Sequence, residues 1–233
     1  MSIRKKILAI SIGPVLVLGI ITLLFMLTMV KSSLMDEVQD ALKGTAAATL
    51  AAYDQNTGDY LESTNGDIWK GSYNISKSES LVDRIKENTG MDVTFFYGNK
   101  RIMTSALDKK GNRILGSEAG ERVVNQVIKG KKPFFSTNVS LDGTRNYGYF
   151  IPVYQNGTTD QVIGMVFVGT NKARKDAIVN KILGSIMMAL LVVMLLCIVT
   201  AMRMAASISK NIKNSVAVVG KLADGDLNVW VDE

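Results

Sequence analysis

The chain has 233 residues and contains no histidine, one cysteine, three prolines and two tryptophans. Without histidine it lacks the commonest general base, metal ligand and phospho-accepting side chain near neutral pH. With Cys197 alone it can close no internal disulfide, so a folded domain has to be held by its apolar core. Cys197 lies within an apolar run, the setting of a small filler rather than of a reactive thiol. No nucleophile–base constellation, metal-ligand cluster or phosphate loop stands out, so no enzyme, cofactor or metal site is expected. Nucleic acid is not among the expected partners.

Charge is missing from two long stretches. One runs from Ile7 to Val30, between Lys6 and Lys31; the other runs from Ile182 to Met202, between Lys181 and Arg203. About 20 apolar residues rising about 1.5 Å each cross a hydrocarbon core, and only a helix satisfies the backbone there. The first stretch is too long for the apolar core of a cleaved signal peptide, and no small-x-small site follows Val30. It reads as an uncleaved anchor. Arg4, Lys5 and Lys6 precede the first span, and Arg203, Lys210 and Lys213 follow the second. By the positive-inside rule both termini are then cytoplasmic and the intervening segment lies outside.

Hydropathy thus divides the chain into a cytoplasmic N-terminus (1–6), transmembrane helix 1 (7–30), an outer domain (31–181), transmembrane helix 2 (182–202) and a cytoplasmic tail (203–233). The expected location is the cell inner or plasma membrane, crossed twice.

The outer domain opens with helical spacing from Leu34 to about Leu61, carried by Leu34, Val38, Ala41, Thr45, Ala48 and Ala52. This narrow stripe of small residues suits another helix, in the same chain or in a second copy. Ser78 to Asn88 reads as a short helix with Ser78 as N-cap. Beyond Gly90 come five strand-like segments: Met91–Tyr97, Arg101–Leu107, Phe134–Leu141, Tyr147–Tyr154 and Val162–Thr170. Asp142-Gly143 and Asn156-Gly157 mark antiparallel hairpins. Glu118 to Ile128 reads as a helix between the second and third strands. The last strand is apolar on both faces, which places it centrally. The pattern is that of an α+β domain.

Several of these pieces, in this order, resemble the single Cache domain of bacterial chemoreceptors and sensor kinases. They are Phe96 with Arg101-Ile102-Met103-Thr104, Gly111-Asn112-Arg113-Ile114-Leu115-Gly116, Val127-Ile128-Lys129-Gly130, Phe150-Ile151-Pro152-Val153 and Val162-Ile163-Gly164-Met165-Val166-Phe167-Val168-Gly169. The resemblance implies a membrane-anchored PAS-like fold, a long N-terminal helix plus a five-stranded antiparallel sheet. It also implies a small-molecule pocket on one side of the sheet, roofed by the loops and helix between strands two and three.

Read from the residues, strand parity pairs Tyr147 with Tyr149 and Phe95 with Tyr97 on shared faces. Arg101, Arg113, Lys131, Lys132 and Arg145 supply cations, and arginine can grip a carboxylate with two parallel hydrogen bonds. Thr104, like Arg101, enters through its place in a segment that resembles the family, and the candidate ligand-binding set is Phe95, Tyr97, Arg101, Thr104, Arg113, Lys131, Tyr147 and Tyr149. An anionic metabolite, an organic acid above all, is the expected ligand.

In the tail, Ile208, Ile212, Ser215, Val219 and Leu222 recur at four, three, four and three residues, a heptad seam. Gly225 can end that helix. The segment resembles the first helix of a HAMP linker, with the second helix expected beyond Glu233. Ile208, Ile212, Val219, Leu222 and Gly225 are the expected signal relay, in a homodimer. The whole then resembles the sensory part of a methyl-accepting chemotaxis protein, reaching its adaptor and kinase partners through an output domain. A histidine kinase or nucleotide cyclase output, or a truncated membrane-bound binding module, are the alternatives.

Overall fold

The computed structural model describes residues 3–223, with side-chain surroundings from residue 6 to residue 220. Leu222, as a side chain, and Gly225 lie outside the described residues. Two compact units separate: Ser32–Val179, and the apolar helices that precede and follow it in sequence.

In the helical unit, α1 (Ile3–Phe25) runs into a π-turn (Met26–Val30), and α5 (Lys172–Ala223) begins in the other unit. Both helical runs are long and apolar enough to cross a membrane. Side chains such as Leu18, Ile21, Leu195 and Leu196 stand exposed, a pattern suited to lipid rather than to a protein core. Gly19 lies against Met194: a Cβ there would meet the Met194 Sδ at 2.6 Å. A small residue lets α1 and α5 approach at that level.

The second unit starts with α2 (Lys31–Asp54), which buries Val38, Leu42, Ala46, Thr49 and Tyr53. Beyond Val38, which both share, that stripe is displaced by one residue from the periodicity of Ala41, Thr45, Ala48 and Ala52. The alanine-rich segment has apolar groups on both sides, and the bulkier Leu42 and Tyr53 decide which side goes inward. The helix also ends at Asp54 rather than near Leu61. Beyond it come three short strands, β1 (Tyr60–Glu62), β2 (Ile68–Lys70) and β3 (Tyr73–Asn74), forming a small antiparallel sheet in order β1-β2-β3. A close approach of Gly71 to the Thr57 carbonyl, with room for no Cβ, lets the chain turn there.

Next comes α3 (Glu79–Thr89), closed by Gly90 in the left-handed conformation. Ser78 sits at its N-cap position, but its hydroxyl donates to the Ile75 carbonyl and meets the Tyr53 hydroxyl instead of capping.

The main sheet contains β4 (Asp92–Tyr97), β5 (Lys100–Thr104), β6 (Phe134–Leu141), β7 (Thr144–Tyr154) and β8 (Val162–Asn171). Its order is β5-β4-β8-β7-β6, antiparallel throughout. The fold is the expected α+β arrangement, and β8 lies at its centre, as its two-sided apolar sequence requires. Asp142 and Gly143 both have positive φ, the backbone of the two-residue hairpin between β6 and β7.

The stretch expected as a helix over Glu118–Ile128 is a single α-turn, α4 (Glu121–Val123), continued as a π-turn (Val124–Lys129). One sheet face carries Val93, Phe95, Tyr147, Tyr149, Val166 and Val168 and packs on α2 and α3. The other carries Phe96, Phe150, Met165 and Phe167 and packs on the α4 segment through Val127.

Candidate functional site

The face under α4 holds a cavity of about 530 Å³. Its floor is built by cross-strand pairing: Phe134 on β6 opposes Phe150 on β7, which opposes Phe167 on β8. The ring centroids lie 6.5 Å and 4.7 Å apart along that row. Phe167 lies flat because its neighbours are glycines. A Cβ on Gly169 would meet its Cζ at 2.4 Å, and one on Gly148 its Cε2 at 2.5 Å. The roof is Glu118, Ala119, Gly120, Arg122 and Val123, and the far wall is β6 from Ser136 to Ser140. Between Ser136 and Val139 the β6 ladder is interrupted, so Thr137 and Asn138 belong to the wall rather than to the pairing.

Arg101 enters this cavity from β5. It is 8% exposed, and its guanidinium lies 5.3 Å from the Phe96 ring centroid. Among the described residues the guanidinium makes a single hydrogen bond, a long one, Nη1 donating to the Ile114 carbonyl at 3.4 Å. Its Nε is buried with no acceptor, and so is the hydroxyl of Ser117, whose carbonyl accepts the Arg101 N–H. Burial holds the guanidinium below its ordinary pKa, and among the described residues no carboxylate pairs with it. An arginine remains charged under such conditions, so an unpaired buried guanidinium is costly until an anion meets it.

Arg113 is in the opposite state. Its guanidinium forms a two-pronged pair with Asp83 on α3, lies 3.9 Å from Glu79, and donates to the Thr104 carbonyl at 2.7 Å. The hydrogen bond and charge of Asp83 hold its pKa above the ordinary value. Thr104 is equally engaged: its hydroxyl is 2.7 Å from that of Thr94 and accepts the Ala106 N–H. Lys131 adopts positive φ and is exposed, and its carbonyl accepts the Tyr154 hydroxyl at 3.3 Å.

The four aromatics expected beside a ligand lie away from the cavity, on the face covered by α2. Phe95 is enclosed between Tyr53, edge-on at 5.2 Å, and Tyr60, stacked at 5.8 Å. Tyr97 and Tyr149 pack against the same core. Tyr147 stacks on Phe135 and donates its hydroxyl to Asp176 on α5. Of the eight candidates the structure brings Arg101 alone into the cavity. Phe134, Phe150, Phe167, Glu118, Arg122 and Asn138 were not among them. Their signal is the parity of β6 to β8 read as one row, with glycines beside the central ring.

Of the relay positions, Ile208, Ile212 and Val219 are 42%, 37% and 64% exposed.

Residues 73–182 match the family Single cache domain 3. The fold is a Cache fold. No curated protein matches the chain. Among solved structures it is similar to an extracellular ligand binding receptor from Desulfohalobium retbaense, at 14% identity and a TM-score of 0.45, covering 63% of this chain and 25% of that one. It is also similar to the DcuS sensor domain of E. coli, at 13% identity and a TM-score of 0.37, over 65% of this chain and 98% of that one. A third is the sensory domain of the Campylobacter jejuni chemoreceptor Tlp3, at 11% identity and a TM-score of 0.41, over 74% of this chain and 64% of that one. The chain thus spans a quarter of the length of the first of these and just under two thirds of the third.

The cavity of this domain is connected to the helix that follows it. Lys172, the first residue of α5, donates from Nζ to the Thr137 carbonyl at 3.1 Å, and its ammonium lies 5.2 Å from the Tyr147 ring centroid. The carbonyl it takes belongs to the interrupted part of β6, in the cavity wall.

Proposed function

We propose that the chain is the sensing portion of a bacterial transmembrane receptor, in which the Cache domain binds a small anionic metabolite, an organic acid above all. One observation carries this reading: a buried guanidinium, that of Arg101, facing a cavity with a free Nε and no carboxylate partner among the described residues. A carboxylate would satisfy both its charge and its orphaned donor.

In this reading residues 7–30 and 182–202 cross the membrane, residues 31–181 lie outside, and both termini are cytoplasmic. Ligand against β6 biases the Thr137–Lys172 contact and so the start of α5. Such a bias is limited by the ligand's differential affinity for two states, typically about 1–3 kcal/mol. The Ile208–Ile212–Val219 seam pairs with its copy in a homodimer and begins a HAMP linker. Beyond it, an adaptor and kinase of the chemotaxis type receive the signal.

The test is a melting series on the full chain in lipid nanodiscs against a panel of organic acids, using wild type and Arg101→Gln. The proposal expects at least one acid to raise the wild-type melting temperature and to leave the variant unmoved. Equal shifts in both proteins, or shifts only with amines, would count against it.

A further inference from the structure

Given that the cavity is the ligand site, its lining also specifies which anion it takes. We propose that it selects monocarboxylates with a compact branched or aromatic body over small dicarboxylates and over amines. The inference rests on the distribution of charge around the cavity. Its lining carries three charged side chains, Arg101, Arg122 and Glu118, and only Arg101 is buried. One buried cation with one free edge accommodates one carboxylate.

A second carboxylate would need a second desolvated cation. The other arginine is exposed at the roof, where its guanidinium lies 5.3 Å from the Phe134 centroid, and the exposed Glu118 shares that roof. Both are exposed, so water screens the attraction of Arg122 and the repulsion of Glu118 alike, and neither takes the place of a desolvated cation.

An ammonium ligand fares worse, although phenylalanines surround the site. Phe96 already faces Arg101, and Phe134 already faces Arg122. Two of the lining rings are thus already faced by the protein's own cations, and the buried Arg101 guanidinium repels a further ammonium. The rest of the lining is mixed: the half-buried Phe134, Val123 and Val139 offer apolar surface, and Ser136, Thr137, Asn138 and Ser140 offer polar groups along β6. A cavity of about 530 Å³ has room for a body larger than that of acetate. Burying such a body contributes about 25 cal/mol per Å² of apolar area, which a short dicarboxylate cannot supply.

The experiment is calorimetric titration of the full chain in nanodiscs with isovalerate, phenylacetate, succinate and isopentylamine. The expected order places isovalerate or phenylacetate at least tenfold tighter than succinate, with no heat from the amine. Arg101→Gln is expected to weaken the preferred ligand at least tenfold. The order is read on the wild-type chain and stands whether or not the variant folds. Succinate binding as tightly as the monocarboxylates would overturn the selectivity and leave the anion site intact. Binding of the amine alone would overturn both. Silence with all four would overturn the proposed class.

Discussion

The Tyr147 hydroxyl donates to the Asp176 carboxylate, joining the middle of the sheet to the helix that leaves the domain. Tyr147 stacks on Phe135, with ring planes 9° apart, so strand β6, strand β7 and helix α5 meet at one side chain. Tyr147→Phe keeps the stack and removes the bond. A loss of about 1 kcal/mol is expected in denaturant unfolding, the usual worth of one such hydrogen bond.

The same bond makes an alkaline prediction. Burial, and then the neighbouring Asp176, push the Tyr147 hydroxyl up to about 12 from 10.0. The folded state therefore favours the protonated phenol. Its contribution is fully present below pH 10, the unfolded value, and is lost as pH rises through about 12. Unfolding measured between pH 9 and 12 should show a shallower decline in Tyr147→Phe than in wild type. Parallel curves would remove Tyr147 from the explanation.

At the acid end the group to watch is Asp83. The hydrogen bond and charge of Arg113 hold its carboxyl below the ordinary carboxylate range. Its stabilisation is present above the unfolded value near 3.8 and fades as pH falls below that through the lower folded value. The Asp83 side chain is 43% exposed, so solvent screening limits the expected cost of Asp83→Asn to roughly 1 kcal/mol at neutral pH. The variant should lose less on acidification than wild type, read by thermal melts between pH 5 and pH 2.

Sheet packing gives a steeper prediction. A Cβ on Gly164 would lie 2.0 Å from the Phe96 carbonyl oxygen, a backbone atom that cannot swing aside. Gly164→Ala should cost about 3 kcal/mol and loosen the β4–β8 pairing. A Cβ on Gly19 meets only the flexible end of Met194, so Gly19→Ala should shift the melting temperature little. Equal effects would show that backbone and side-chain obstacles cannot be told apart in this fold.

Much of this architecture is legible in the sequence because its causes are local. The two uncharged runs, the Asp142-Gly143 hairpin and the fully apolar β8 each state their own conformation. The small sheet from Tyr60 to Asn74 is not legible, since strands of two or three residues carry no alternation to read. The π-turn after Val123 preserves a helical hydrophobic pattern while changing its hydrogen bonds, so it reads as ordinary helix.

The site is only half legible. Parity shows that Tyr147 shares a face with Tyr149, and Phe95 with Tyr97, but not which face a helix covers. That depends on where α2 packs, and α2 buries the tyrosine face. Arg101 and Arg113 look alike as residues; only the position of Asp83 on α3 separates the paired one from the free one.

The exposed seam on α5 bears on the proposed pairing of copies. With Cys197→Ala to remove the native thiol, single cysteines at Ile208, Ile212 and Val219 should cross-link in membranes far faster than one at Lys210. Uniform rates along the helix would contradict a heptad interface.

The central claim is that Arg101 anchors a carboxylate in the cavity under α4. The most direct measurement is a crystal of the full chain grown with 4-bromophenylacetate, with the bromine located by its anomalous signal. The account predicts the bromine among Phe134, Val123 and Val139, with carboxylate oxygens about 2.8 Å from the Arg101 guanidinium. Bromine on the α2 side of the sheet, beside Tyr147 and Tyr149, with Arg101 still unpaired, would contradict it.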